Sequence, residues 1–137
     1  RLFLELRDLQ GLAYAVNAMN LEGLAPGFFA IYIACAPEKL DAARAGIMTE
    51  LERVLQSQPD ITELERARRY LIGNHAIDRQ RSSTRASQMA LDVRYGLGLG
   101  AARELPEAIA AVDADAVLRA ARRVIDLDAY TLALIRP

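Results

Sequence analysis

Residues 6–14 read LRDLQGLAY and predict a corner between a helix and a strand. Before the corner, Leu2, Leu6 and Leu9 fall near one face of a helix that is already under way at the first residue. Gly11 is a typical helix stop, so a strand is expected to begin one or two residues after it. The corner can place Arg7, in the last helical turn, and Tyr14, at the start of the strand, on the same side of the chain.

The sequence beyond the corner predicts an antiparallel hairpin. Residues 12–21 form the first expected strand, and residues 28–35, rich in aromatic and β-branched side chains, form the second. Residues 22–27 contain a proline and two glycines and are expected to form the turn. Cys35, the only cysteine, ends the second strand and is interpreted as a small buried hydrophobe.

Helices fill most of the remaining sequence. Their expected positions are Pro37 to about Gln56, a capping box of Thr62 and Glu65 leading to about Gln80, Ala86 to Tyr95, a short helix starting at Pro106, and one capped by Asp113 that runs to about Val124. Residues 82–84 are expected to form a joint. The glycine-rich residues 96–100 predict a helix stop, because they lack the lysine and the strand–loop–helix setting of a phosphate-binding loop.

A closing strand over residues 129–135 completes an α+β fold, with helices packed on one face of an antiparallel sheet. A length of 137 residues and a hydrophobic content of 53% fit a single partial domain, residues 1–137. The chain starts without methionine and within a helix, so we interpret it as N-terminally truncated. Three strands would leave an open sheet edge that can pair with another chain, including a second copy in a homodimer.

Charge and hydropathy argue against two classes of partner. The 17 basic and 18 acidic residues form no long run of one sign, so the sequence carries no electrostatic footprint for nucleic acid. No stretch approaches the roughly 18 to 20 apolar residues of a membrane-spanning helix. We therefore expect neither a nucleic-acid partner nor a membrane span.

The sequence contains no familiar zinc motif. Its only histidine is His75, and the residues around it match neither H-E-x-x-H nor H-x-x-E-H. No credible Cys–His pair or Ser–His–Asp order is present either. His75 shares a helix face with Leu71, which favours a structural, packed imidazole. We expect no metal site in this chain.

Arg7 and Tyr14 are the residues most suited to chemistry. A guanidinium fork beside a phenol can bind backbone carbonyls of an extended peptide, or stabilise an oxyanion if a nucleophile comes from elsewhere. Two plainer roles stay open on physical grounds. Arg7 can serve the helix dipole and the last carbonyls, and Tyr14 can simply pack.

The stretch LRDLQGLAY resembles a segment of the insulinase/pitrilysin-type zinc metallopeptidases, especially the smaller bacterial and mitochondrial-processing-peptidase-like branch. Residues 27–37, GFFAIYIACAP, resemble the family's strand before a helix that begins with Pro-Glu. Residues 61–74, ITELERARRYLIGN, resemble a helix of the same family, and residues 105–124 resemble its two short helices. The resemblance thus covers almost the entire chain.

The resemblance implies a two-lobe zinc endopeptidase of which this chain is the C-terminal, zinc-free lobe. One lobe of such enzymes carries the inverted zinc motif, and the other contributes an Arg and a Tyr spaced seven apart, as Arg7 and Tyr14 are. Tyr14 would stabilise the oxyanion as a catalytic and substrate-binding residue, and Arg7 would bind a substrate main-chain carbonyl.

The same resemblance implies that Zn²⁺ lies in a partner lobe of the same or a second chain, that a peptide is the substrate, and that this chain alone is inactive. A family lobe is longer than this chain, in keeping with truncation. The compartment stays open between bacterial periplasm and cytoplasm. The alternative is a non-catalytic scaffold or interaction subunit of the same fold.

Overall fold

The computed structural model describes residues 1–21, 23 and 26–135. The chain forms two compact units, Arg1–Ser57 with Leu118–Pro137, and Gln58–Val117. The elements, in chain order, are a π-helix Phe3–Leu9, strands β1 (Ala15–Leu21) and β2 (Phe28–Ala34), a 3₁₀ turn Pro37–Lys39, and helices α1 (Leu40–Gln56), α2 (Ile61–Asp78), α3 (Ser82–Arg94), α4 (Ala101–Ala111) and α5 (Ala114–Val124). The predicted mixed α+β class is confirmed.

The first unit has a core built around Leu6, which is fully buried. Ala13 and Val16 complete the buried cluster, and Ile33 of β2 and Ile47 of α1 pack against it. The π-helix and α1 therefore cover the same face of the hairpin. This face is the apolar side that a half-buried sheet needs.

The expectation that Leu9 shares a face with Leu6 is wrong, because Leu9 is 66% exposed. The cause is the wider turn of the N-terminal helix. The Gln10 N–H donates to the Glu5 carbonyl, five residues back, at 3.0 Å. A π-helical turn contains more residues than an α-helical turn. Leu9, three residues after Leu6, is therefore rotated away from the buried face that Leu6 occupies.

The predicted hairpin is confirmed, with β1 and β2 antiparallel and Val16 opposite Ile33. The first strand begins at Ala15, three residues later than expected, because the backbone after Gly11 still belongs to the corner. Of the predicted turn over residues 22–27, residues 22, 24 and 25 lie outside the described part of the chain.

The predicted closing strand over residues 129–135 is wrong. Among the described residues, β1 and β2 are the only strands, and they pair with each other. A strand needs a ladder partner as well as β-branched side chains, and this segment has none there. Instead, the segment is held to α1 by a bond from the Arg44 guanidinium to the Tyr130 hydroxyl, at 2.5 Å.

The second unit begins with a helix cap that differs from the predicted capping box. Asp60 is the N-cap of α2, and its carboxylate accepts from the Glu63 N–H at 2.8 Å. Thr62 lies inside the first turn of the helix. Asp is among the strongest N-cap residues, so it takes the cap position ahead of Thr62.

The middle helix of this unit is longer than predicted. Helix α3 starts at Ser82, so residues 82–84 lie in its first turn, and the joint falls at residues 79–81. The glycine-rich helix stop is present as predicted, with positive φ at Gly96 and Gly98. Asp113 also has its predicted capping role, because its carboxylate accepts from the Ala116 N–H at 2.7 Å.

Helix α4 contains Pro106 in its interior, so the prediction that Pro106 begins a helix is wrong. Proline has no N–H, and the carbonyl of Ala102, four residues earlier, loses its usual helical donor. His75 of α2 replaces that donor, with its Nε2 atom 2.7 Å from the Ala102 oxygen. Because a carbonyl only accepts, the imidazole donates from Nε2, which gives His75 a structural role.

Candidate functional site

The corner after the π-helix is closed by two backbone hydrogen bonds. The Gly11 N–H donates to the Arg7 carbonyl at 3.1 Å, and the Leu12 N–H donates to the Leu6 carbonyl at 2.7 Å. Gly11 itself has a φ of 59°, in the left-handed region that favours glycine. The predicted helix stop at Gly11 is therefore present, and it turns the chain towards Tyr14.

Tyr14 combines an anchored backbone with an exposed side chain. Its N–H donates to the Ala34 carbonyl at 2.9 Å, which extends the hairpin ladder by one residue. Tyr14 is 88% exposed, and among the described residues its hydroxyl makes no hydrogen bond. In the described part of this chain, Tyr14 therefore does not pack into a core, and its phenol is accessible to a ligand.

Arg7 precedes the corner, and its side chain contacts two neighbours on the π-helix. Its guanidinium carbon lies over the Phe3 ring, 4.4 Å from the ring centre, and its Nε atom is 4.0 Å from the Asp8 carboxylate. Stacking on an aromatic face leaves the N–H edges of the guanidinium available to a second partner. Within the described ranges, the Arg7 side chain donates to none of the helix carbonyls and makes no hydrogen bond with Tyr14.

Tyr14 borders an open cleft that Arg7 does not reach. The cleft is lined by Gly11, Leu12, Ala13, Tyr14, Ala34, Cys35, Ala36 and Lys39. Cys35 is half-buried there, in partial agreement with the predicted buried thiol. Four of these residues are glycine or alanine, and the side chains with a polar atom are the phenol, the thiol and one ammonium group.

Lys39 is the residue of this cleft that the sequence analysis missed. Its Nζ atom donates to the Gly11 carbonyl at 2.8 Å, across 28 positions of sequence. A local pattern does not reveal such a contact. One signal was available: Lys39 is the only lysine in a chain whose other basic residues are all arginine.

The side chains of residues 1–21, 23 and 26–135 do not fit a zinc site. The described residues contain no group of three or more His, Cys, Asp and Glu side chains placed to hold a metal ion. His75, the only histidine, uses its Nε2 atom for the Ala102 carbonyl. In the same part of the chain, no helix is both long and apolar enough to cross a bilayer.

Comparison with known proteins identifies the family. Residues 1–71 match the family model described as "Peptidase M16 inactive domain", and these residues make up more than half of the chain. The chain belongs to the peptidase M16 inactive-domain family. The matched residues include the π-helix, the corner, the hairpin and α1. The predicted resemblance to insulinase-like peptidases is confirmed, and both Arg7 and Tyr14 lie inside the matched part of this M16 domain.

Two relatives extend the match to the full chain. An "Uncharacterized zinc protease" of Rickettsia bellii is 28% identical over all 137 residues of this M16 domain, and a protein of the same description from Rickettsia felis is 26% identical over the same length. The chain covers 33% of each relative. It therefore spans about a third of the length of the curated relatives it matches.

Proposed function

We propose that this M16 inactive domain is the accessory lobe of a two-lobe zinc-dependent endopeptidase. Three observations support the proposal: the family is a peptidase family, two relatives are described as zinc proteases, and those relatives are about three times as long as this chain. The described residues offer no metal-ligand cluster. In this proposal Zn²⁺ is held by a partner lobe, on the same polypeptide or a second chain, and this chain alone does not cut peptides.

Tyr14 is the residue that we assign to transition-state stabilisation. The observation that carries this assignment is its exposed phenol on a backbone fixed by the Ala34 carbonyl. When a nucleophile supplied by the partner lobe adds to a scissile carbonyl, negative charge develops on the carbonyl oxygen. The Tyr14 O–H donates a hydrogen bond to that oxygen, and a donor fixed in advance is most effective where charge develops. Tyr14 keeps its proton throughout.

Arg7 is the residue that we assign to substrate binding. Its guanidinium has donors in a rigid planar arrangement, and the Phe3 ring beneath it limits its rotation. These donors bind a main-chain carbonyl of an extended peptide near the scissile bond. Because main-chain groups are the same in every peptide, this contact positions the substrate without selecting its side chains.

The test is peptide hydrolysis with zinc content measured in parallel. This domain alone should be zinc-free and inert, and the complete protein with its zinc-motif lobe should bind zinc and cleave. Tyr14→Phe in the complete protein should remove most of the turnover. Tyr70→Phe is the matched control, because Tyr70 lies on α2 and is 67% exposed. Full activity of the Tyr14→Phe enzyme would refute the assigned role.

A non-catalytic scaffold of the same fold is the second candidate. The observation in its favour is the exposed aromatic surface of β2, where the side chains of Phe28 and Tyr32 are more than half exposed. These residues share a strand face and can contact another lobe, another subunit or a second copy of this chain. A complete assembly that forms but contains no zinc and cleaves no peptide would support this scaffold.

A further inference from the structure

We propose that Lys39 is a positioning residue for Tyr14. The expected effect of Lys39 on kcat rests on the function proposed above. The expected effect of Lys39 on the backbone of the Gly11 corner does not. The primary observation is the hydrogen bond from Lys39 Nζ to the Gly11 carbonyl, at 2.8 Å. Gly11 lies between Arg7 and Tyr14, three residues before Tyr14.

Three hydrogen bonds close a ring around the cleft beside Tyr14. The Tyr14 N–H donates to the Ala34 carbonyl at 2.9 Å, at the end of β2. The chain then turns, and the Lys39 N–H donates to the Ala36 carbonyl at 2.9 Å. The Lys39 side chain finally returns to Gly11, three residues before Tyr14. The ring therefore fixes the segment that carries Tyr14 at both of its ends.

The bond to Gly11 holds the part of the ring that is intrinsically least restrained. Glycine explores more backbone conformations than other residues, and Gly11 has a positive φ. Within the described residues, the Lys39 ammonium is the only protein donor to the Gly11 carbonyl. Without it, the peptide unit after Gly11 keeps only the bond from the Leu12 N–H to the Leu6 carbonyl, at 2.7 Å. We expect the Gly11 carbonyl to become less restrained, and Leu12 and Ala13 to transmit the change to Tyr14.

The chemistry of the contact favours an ammonium group but does not require one. A charged donor to a carbonyl is stronger than a neutral donor. Lys39 is exposed, so water competes with the bond and reduces its contribution. Arginine retains a charged N–H donor of similar reach, whereas methionine keeps the chain length and has no donor. The pair Lys39→Arg and Lys39→Met thus separates the donor from the volume of the side chain.

The first measurement is kcat and KM of the complete protein with its zinc-motif lobe. We expect Lys39→Met to lower kcat about 5- to 10-fold with KM changed less than about twofold, because misplacing a catalytic donor affects turnover more than binding. Lys39→Arg should recover at least half of the loss. Arg66→Met removes an exposed positive charge from α2 and should have wild-type kinetics. Wild-type kcat in Lys39→Met would overturn the proposal.

The second measurement combines Lys39→Met with Tyr14→Phe. If Lys39 acts through Tyr14, the Lys39→Met substitution should lower kcat in the wild-type background. It should leave the residual kcat of Tyr14→Phe unchanged. A general loss of folding would instead lower both by the same factor, and that result would overturn the proposal. If Tyr14→Phe alone is fully active while Lys39→Met is impaired, the proposed function and the kinetic part of this inference both fail.

The third measurement does not need activity. Hydrogen exchange of the peptide spanning residues 7–15 in the complete protein should be faster in Lys39→Met, and it should return to the wild-type rate in Lys39→Arg. Residues on α2 should exchange at unchanged rates. If exchange over the corner is faster in Lys39→Met, Lys39 restrains the corner, even where Tyr14→Phe shows that Tyr14 has no part in peptide cleavage. Unchanged exchange over residues 7–15 overturns the inference.

Discussion

A Cβ atom placed on Gly46 of α1 would overlap the Cδ2 atom of Leu6, the fully buried side chain of the π-helix. An added methyl group there would force the Leu6 side chain to shift within the core, although the backbone of Gly46 is ordinary helix. The Leu6 carbonyl also supports the corner, because it accepts from the Leu12 N–H. The packing of α1 and the geometry beside Tyr14 are therefore linked through Leu6, by its side chain and by its carbonyl.

We predict that Gly46→Ala destabilises the protein by about 1–3 kcal/mol, despite the better helix propensity of alanine, because the core has no room for the added methyl group. Gly73→Ala is the control, since nothing lies within 4 Å of the added atom on α2. It should stabilise by about 0.5–1 kcal/mol. Urea unfolding measures both, and a stabilising Gly46→Ala would contradict the packing described here.

Tyr14→Phe should reduce kcat of the complete enzyme by about 10²-fold or more, the scale of a lost oxyanion donor. The change removes one hydroxyl from an exposed side chain, so the free energy of unfolding should stay within about 0.5 kcal/mol of wild type. Steady-state hydrolysis of a peptide gives the first value and urea unfolding the second. A loss of only a few-fold would exclude Tyr14 as an oxyanion donor.

Arg7→Met should raise KM several-fold with a smaller change in kcat, because a contact to a main-chain carbonyl exists in the bound substrate as well as in the transition state. Arg7→Lys should be intermediate, since lysine keeps the charge and loses the planar arrangement of donors. Arg66→Met again controls for surface charge. If KM is unaffected by Arg7→Met, the substrate-binding role is incorrect.

His75→Phe should destabilise the second unit by about 1–3 kcal/mol, because the Ala102 carbonyl loses its donor. Pro106→Ala restores a backbone N–H four residues after Ala102, so His75→Phe should cost much less in that background. Thermal or urea unfolding of the wild type, the two single variants and the double variant measures the coupling. Equal costs in both backgrounds would show that His75 contributes by packing alone.

Asp60→Ala should cost about 0.5–2 kcal/mol through the lost N-cap of α2, because the bond from the Glu63 N–H to the Asp60 carboxylate is removed. Thr62→Ala provides the comparison, since Thr62 lies within the helix and is exposed. It should change the free energy of unfolding by less than about 0.5 kcal/mol. A larger loss of stability in Thr62→Ala than in Asp60→Ala would instead support the capping box that the sequence predicts.

The features that sequence analysis predicted are those fixed by local chemistry. Gly11 stops a helix and Asp113 caps one because each acts on backbone within a few residues of itself. The hairpin was likewise readable, because residues 28–35 are rich in aromatic and β-branched side chains and a proline and two glycines mark the turn before them. The resemblance of residues 6–14 to a peptidase segment added the family, which physical reasoning alone could not supply.

The features that it missed depend on partners distant in sequence. Pro106 is tolerated within α4 because His75, on another helix, supplies a donor to the Ala102 carbonyl, 27 positions further along the chain. Lys39 reaches Gly11 across a comparable separation, and no periodicity marks that contact. Residues 129–135 have the composition of a strand, but among the described residues they have no strand to pair with. The strand predicted there from composition alone was therefore wrong. The roles of Arg7 and Tyr14 stay predictions.

The Gly11 corner also limits how the sequence can change in length. The hairpin sets which residues of β1 and β2 pair, with Val16 opposite Ile33, so the corner has to absorb any change in chain length just before β1. An insertion or deletion of one residue between Arg7 and Tyr14 would displace the backbone groups of Gly11 and Leu12 from the hydrogen bonds that close the corner. The seven-residue spacing of the candidate pair is therefore tied to the hydrogen bonds of the corner.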